Sequence, residues 1–143
     1  MKKINNIEVL TSGGDAPGMN ASIRAVVRVC SYYNLECTVI YRGYQGLIEG
    51  DFEKLDARSV RNVINKGGTF LKSTRAMEFK TKEGRAKAYE NLKKAGVDAL
   101  VVIGGDGTFT GGLLFNQEFD FPVVGIPATI DNDISGTDYT LGY

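Results

Sequence analysis

Three runs of residues carry the types and spacing that chemistry would use. The first is Gly104-Gly105-Asp106-Gly107-Thr108, directly after the apolar Val101-Val102-Ile103. A loop with so few side chains can turn its backbone N–H groups toward phosphate oxygens, and a following helix adds its positive end. Asp106 offers a hard oxygen for Mg2+, directly or through water. Thr108 can bond a phosphate or cap the helix. A tight βα turn with Asp106 as a solvated cap uses the same residues, although capping needs no third glycine. The second run is Thr129-Ile130-Asp131-Asn132-Asp133. Carboxylates two apart on extended backbone point to opposite sides, so one can face a substrate while the other braces the loop. A close pair also raises one pKa, which suits a base accepting a hydroxyl proton. A polar surface turn accounts for this run equally well. The third is Gly67-Gly68-Thr69-Phe70-Leu71-Lys72-Ser73-Thr74-Arg75. Arg75 can neutralise charge on a transferring phosphoryl group, while a lone Arg after Ser/Thr is more often solvated. Together the runs supply a phosphate cradle, a metal carboxylate, a base and a cation. That set is sufficient for phosphoryl transfer, and it leaves the acceptor unnamed.

Several other chemistries are disfavoured. Residues 67–74 lack the second glycine before the lysine of a Walker A loop, and residues 13–18 lack Gly-x-Gly-x-x-Gly spacing. The absence of His removes the His-dependent hydrolase triads and the commonest catalytic zinc sites, and leaves a carboxylate as the natural base. Lys+Arg and Asp+Glu both number 17, so no basic field points to nucleic acid. No apolar run approaches the roughly 20 residues that cross a bilayer, and the first residues do not resemble a signal peptide. No membrane partner and a cytoplasmic location are expected. Cys30 and Cys37 read as reduced, buried core thiols rather than a disulfide or metal site.

The elements that must position these runs alternate strand and helix. Residues 7–10 read as a strand and 19–33 as a helix with Ile23, Val26, Val27 and Cys30 on one face. Residues 36–41 read as a second strand and 42–50 as a glycine-containing loop. A short helix is expected over 57–65, stopped by Gly67-Gly68. A clearer helix covers 81–94, with Thr81 as N-cap and Gly96 as stop. A doubly buried strand covers 98–103, a helix about 110–116, and a last strand 123–126. The pattern predicts an α/β fold, a doubly wound, Rossmann-like, mostly parallel sheet with helices on both faces. In such sheets ligands bind at the carboxyl ends of strands, where segments 11–20, 104–108 and 127–138 fall.

At these residues the sequence resembles bacterial ATP-dependent 6-phosphofructokinases. The match runs from residues 10–20, Leu10-Thr11-Ser12-Gly13-Gly14-Asp15-Ala16-Pro17-Gly18-Met19-Asn20, through 67–71 and 104–108 to 129–140. The run at 104–108 alone is also similar to diacylglycerol and NAD kinases; the first and last motifs make the combination specific. The resemblance implies glycolytic transfer of the ATP γ-phosphate to the 1-hydroxyl of fructose 6-phosphate. It implies Asp131 as proton acceptor, with Arg75 and Asp133 as further catalytic residues. Thr129, Ile130 and Asp131 would contact the sugar phosphate, and Asp106 would serve Mg2+. Gly14, Tyr44, Arg75, Ala76, Gly105, Asp106, Gly107 and Thr108 would line the ATP site, Tyr44 beside the adenine. Arg24 and Arg28, with Arg58 and Arg61, would meet an ADP or phosphoenolpyruvate effector between subunits of a homotetramer.

Residue size bears on the phosphoryl donor. Pyrophosphate-dependent relatives typically carry Asp where this chain has Gly107 and Lys where it has Ala128. Two small residues leave room for the nucleotide α-phosphate and favour ATP. Ala76 and Ala57 depart from the family pattern, at the adenine and in the effector region. The resemblance assigns residues 1–143 to the N-terminal ATP-binding domain and leaves the substrate domain outside this chain. A pyrophosphate-dependent enzyme and a non-catalytic nucleotide-binding fragment are the competing readings.

Overall fold

The computed structural model describes residues 3–11, 19–55 and 77–127. At its centre lies β1 (Asn6–Thr11), whose Val9, Leu10 and Thr11 are fully buried. On one side it pairs in parallel with β2 (Glu36–Ile40), matching Val9 to Val39. On the other it pairs in parallel with β4 (Ala99–Gly104), matching Thr11 to Ile103. The outer strands are β3 (Phe52–Leu55), antiparallel to β2, and β5 (Val123–Pro127), parallel to β4. The sheet order is therefore β3-β2-β1-β4-β5. The expected doubly wound, mostly parallel sheet is present.

Side chains alternate across this sheet and build two cores. One face carries α1 (Met19–Tyr32), whose Ile23, Val27 and Cys30 recur at helical spacing and pack on Val9, Cys37, Val39 and Ile103. Burying each of the aliphatic pair is worth about 1.5–3 kcal/mol. The helix stops on Asn34 in the left-handed region (φ 59°), with Leu35 N–H donating to the Cys30 carbonyl at 2.7 Å. That six-to-one closure satisfies a carbonyl the helix leaves open. The opposite face carries α2 (Gly43–Glu49), a 3₁₀ turn (Met77–Lys80), α3 (Lys82–Lys94) and α4 (Asp106–Phe119). Thr81 caps α3 as expected, accepting from Gly84 N–H at 2.9 Å, and Gly96 (φ 72°) ends it. No helix among the described residues is long and apolar enough to cross a membrane.

Three local expectations are corrected. The loop expected at 42–50 contains helix α2. Its glycines are poor helix formers, but tertiary contacts override propensity. Tyr44, Leu47 and Ile48 are buried, and the Asn91 amide of α3 donates to the carbonyls of Leu47 and Ile48, both at 2.9 Å. Glycine is required at position 46, where a Cβ would lie 1.7 Å from the Tyr41 carbonyl oxygen. Strand β3 was not expected and pairs as a short antiparallel edge. The helix expected at 110–116 begins at Asp106, which takes Asp106, Gly107 and Thr108 out of the loop and into a first turn. The helix expected at 57–65 lies outside the described residues.

One group sits uneasily in the core. Glu8, on the central strand, is 0% exposed, and neither carboxyl oxygen has a hydrogen-bond partner among the described residues. Burial raises its pKa from 4.5 to about 9. The unfolded chain releases this proton near the ordinary value, whereas the folded chain keeps it. Stability is therefore fully present below the ordinary value and is lost as pH rises toward the folded one. Unfolding measured from about pH 5 to about pH 9 should show stability falling by up to about 1.4 kcal/mol per pH unit from this group. Glu8→Gln should flatten that slope; equal slopes in both proteins would show the carboxyl ionised in the fold.

Candidate nucleotide-phosphate site

Strand β4 runs through Gly104, and Gly105 is the N-cap of α4 in extended conformation, with no side chain bonding the helix start. The first helical hydrogen bond is Phe109 N–H to the Gly105 carbonyl at 3.1 Å. The N–H groups of Asp106, Gly107 and Thr108 precede it, and no described residue caps them. Asp106 and Gly107 are exposed. A Cβ placed on Gly107 would meet nothing within 4 Å. Among the described residues these donors are uncapped and stand at the positive end of a fourteen-residue helix, an arrangement that suits an anion.

The turn is held from beneath. Thr108 is buried, and its carbonyl accepts a hydrogen bond from the Tyr44 hydroxyl at 2.5 Å. Burial drives the Tyr44 phenol well above its ordinary pKa, so it stays protonated and donates. Its ring, 4% exposed, stacks on Phe79 at 4.0 Å and 12°. Gly111 admits this ring: a Cβ there would sit 3.1 Å from Tyr44 Cε2. Phe79 is fixed in turn by Arg85, whose Nη1 donates to the Phe79 carbonyl at 2.9 Å. Arg85 also grips Glu118 of α4 with two bonds, Nε to Oε1 at 2.5 Å and Nη2 to Oε2 at 3.0 Å. The hydrogen bonds of this pair hold the Arg85 pKa up and the Glu118 pKa down. A bidentate pair of this kind also fixes geometry, because the guanidinium is a rigid fork.

Topology sets what surrounds the turn. Register matches Thr11 with Ile103 and Gly104 with Pro127, so the chain leaves β1, β4 and β5 side by side at one edge of the sheet. The two other polar segments begin there, on either side of Gly105. Strand order reverses between β1 and β4, the crevice where open α/β sheets bind ligands. Of the residues expected at a site, the structure brings together Tyr44, Gly105, Asp106, Gly107 and Thr108. Arg24 and Arg28 lie on α1, across the sheet from α4. Gly14, Arg58, Arg61, Arg75, Ala76, Thr129, Ile130, Asp131 and Asp133 lie outside the described residues.

Sequence reasoning passed over Phe79, Arg85, Glu118 and Thr11. The first three carry no local signal, since Arg85 and Glu118 are 33 residues apart. Thr11 is fully buried at the end of β1, and its hydroxyl has no partner among the described residues.

A sequence model described as phosphofructokinase matches residues 6–143. The chain belongs to the phosphofructokinase family. A relative in Vibrio parahaemolyticus, named ATP-dependent 6-phosphofructokinase, is 62% identical over 140 residues, 98% of this chain and 43% of its own length. Another in Bacteroides thetaiotaomicron, named ATP-dependent 6-phosphofructokinase 2, is 55% identical over 143 residues, all of this chain and 44% of its own length. The solved phosphofructokinase of Saccharomyces cerevisiae superposes with a TM-score of 0.92 at 41% identity, covering 96% of this chain and 22% of that one. The chain therefore spans less than half the length of the phosphofructokinases it matches.

The support beneath the turn can be tested without touching the turn itself. Tyr44→Phe keeps the ring and removes the only described side-chain bond to the Thr108 carbonyl. Denaturant unfolding should show a loss of about 0.5–1.5 kcal/mol. An unchanged midpoint would mean that the hydroxyl contributes nothing to holding α4.

Proposed function

We propose that this chain is the nucleotide-binding part of an ATP-dependent 6-phosphofructokinase, which phosphorylates fructose 6-phosphate at its 1-hydroxyl in glycolysis. The observation that carries the reading is the uncapped, exposed start of α4, with open space over Gly107, on a chain of this family. Phosphate oxygens take the bare N–H groups of residues 106–108. Gly14, Arg75 and Ala76 complete the nucleotide site, and Tyr44 holds the turn from below. Asp131, with Thr129 and Ile130, meets the sugar phosphate. Asp131 accepts the hydroxyl proton as the phosphoryl group transfers in line, Asp133 braces its loop, and Arg75 offsets the developing charge.

The donor set near the turn fits Mg2+. Asp106 is an exposed carboxylate in the first turn of α4, and nothing crowds the space beside it at Gly107. The described residues hold no group of three or more His, Cys, Asp or Glu placed to bind a metal. Magnesium needs none, because one or two carboxylates plus substrate phosphates and water complete its shell. Bound there, the ion would neutralise phosphate charge. The remaining parts of the reading are a cytoplasmic homotetramer with ADP or phosphoenolpyruvate acting near Arg24, Arg28, Arg58 and Arg61.

Two substitutions test the reading. Asp131→Ser should lower turnover by at least about 100-fold, the usual contribution of a positioned base, and leave ATP binding nearly intact. Unchanged turnover would remove Asp131 as the base. Gly107→Asp has room for its side chain, so the fold should survive. It should weaken ATP binding and leave pyrophosphate use less affected. Equal use of both donors by the unaltered protein would defeat the size argument, and preference for pyrophosphate would favour a pyrophosphate-dependent enzyme.

A further inference from the structure

Helix α4 meets strand β5 along one stripe. Phe109, Gly112 and Asn116 recur at i, i+3 and i+7, so they share a face of the helix. Phe109 lies against Gly125: a Cβ on that glycine would come within 2.8 Å of ring carbon Cε1 and 3.0 Å of Cδ1. Gly112 lies against Val123, where a Cβ would come within 3.0 Å of Cγ1. The Asn116 amide donates to the Phe121 carbonyl at 2.8 Å, just before β5 begins. The helix therefore runs back along the strand, with its first turn beside the strand's end. Burial does not account for the contact nearest that end. Phe109 is half-buried and Gly125 exposed, whereas Phe115 of the same helix is fully buried. Glycine also weakens a strand interior, where it often marks a close approach.

The position of this contact in the fold gives it a use. Among the described residues β5 pairs only with β4, so its other edge does nothing to place it. The strand ends at Pro127, level with Gly104, and the chain passes from there into residues 128–133. Phe109 directly follows the N–H groups of residues 106–108, and its own N–H makes the first helical hydrogen bond. One residue thus closes the first turn of α4 with its backbone and meets the strand leading to the Asp131 run with its ring. We propose, on the reading that Asp131 is the base, that Phe109 is a positioning residue for phosphoryl transfer. Its ring, seated on Gly125, sets the spacing between the donors at 106–108 and the run that begins at residue 128. In-line transfer depends on that spacing, and a misplacement of about 1 Å can cost about 100-fold. ATP affinity depends on the backbone donors themselves and is far less sensitive to it. Gly125 is the matching half, since a strand residue without a side chain lets the ring close on the backbone.

The experiment uses the intact protein and measures kcat, ATP affinity by direct titration and thermal unfolding for Phe109→Leu, Gly125→Ala and the two combined. Each single variant should lose about 10- to 100-fold in kcat and leave the Kd for ATP nearly unchanged. The added methyl and the smaller side chain fill the same gap, so the double variant should turn over faster than either single one. Added to Asp131→Ser, Phe109→Leu should cost little more, because residues that act as a unit are not additive. Unchanged kcat in Phe109→Leu beside a loss in Asp131→Ser would overturn the role of the ring alone. A loss in Phe109→Leu beside unchanged turnover in Asp131→Ser would overturn the base and, with it, the run as the thing positioned. If kcat and ATP affinity fall together, or if both single variants lose the fold, the ring is a packing residue only and the proposal fails.

Discussion

A helix start with bare N–H groups is useful only if it is held still, and most of the packing on one face of this sheet serves that end. The first turn of α4 has no side-chain cap among the described residues, since its N-cap is Gly105. Its position is set instead by β4 behind it and by the Tyr44 hydroxyl on the Thr108 carbonyl. Tyr44 leans on Phe79, Phe79 is held by Arg85, and Arg85 returns to α4 through Glu118. The chain of contacts closes on itself, so α4 is braced at its first turn and near its end by the same group of residues. An anion arriving at the turn meets donors that need little reorganisation, the condition under which fixed dipoles act most strongly.

The two faces of the sheet are built differently. The α4 face is aromatic: Phe79, Tyr89, Phe115, Phe119 and Phe121 form a continuous set of ring contacts, including a Tyr89–Phe119 stack at 4.5 Å. Such pairs add about 0.5–1.5 kcal/mol each beyond their buried area and lock relative orientation. The α1 face is aliphatic and contains both cysteines. Rigid support therefore lies beneath the candidate phosphate site. The α1 face carries Arg24 and Arg28.

Between these faces runs β1, and it contains an unfavourable choice, the fully buried carboxyl of Glu8 without a described partner. Burial keeps Glu8 protonated, since ionising it there would strand a charge in a low-dielectric core. Its backbone is paired on both sides, with Thr38 of β2 and Leu100 of β4.

Much of the fold was legible in the residues themselves. Apolar spacing located β1, α1, β2, β4 and β5 to within a few residues, because period and chain stops are local properties. Thr81 and Gly96 marked the limits of α3 for the same reason. Motif spacing was enough to suggest the family, which the family match over residues 6–143 establishes. Helix α2, strand β3 and the early start of α4 were not legible, since each depends on partners distant in sequence. Glycines that read as a loop at 43 and 46 are helical because Asn91, 44 residues from Leu47, satisfies the helix end. Asp106 and Thr108 read as loop residues and are a helical turn because Tyr44 and β4 seat them. The sequence by itself determined which stretch of backbone is left uncovered, through a run of glycines that carries few side chains. Only the tertiary structure decided where that backbone points, because orientation comes from contacts between residues 33 to 64 positions apart.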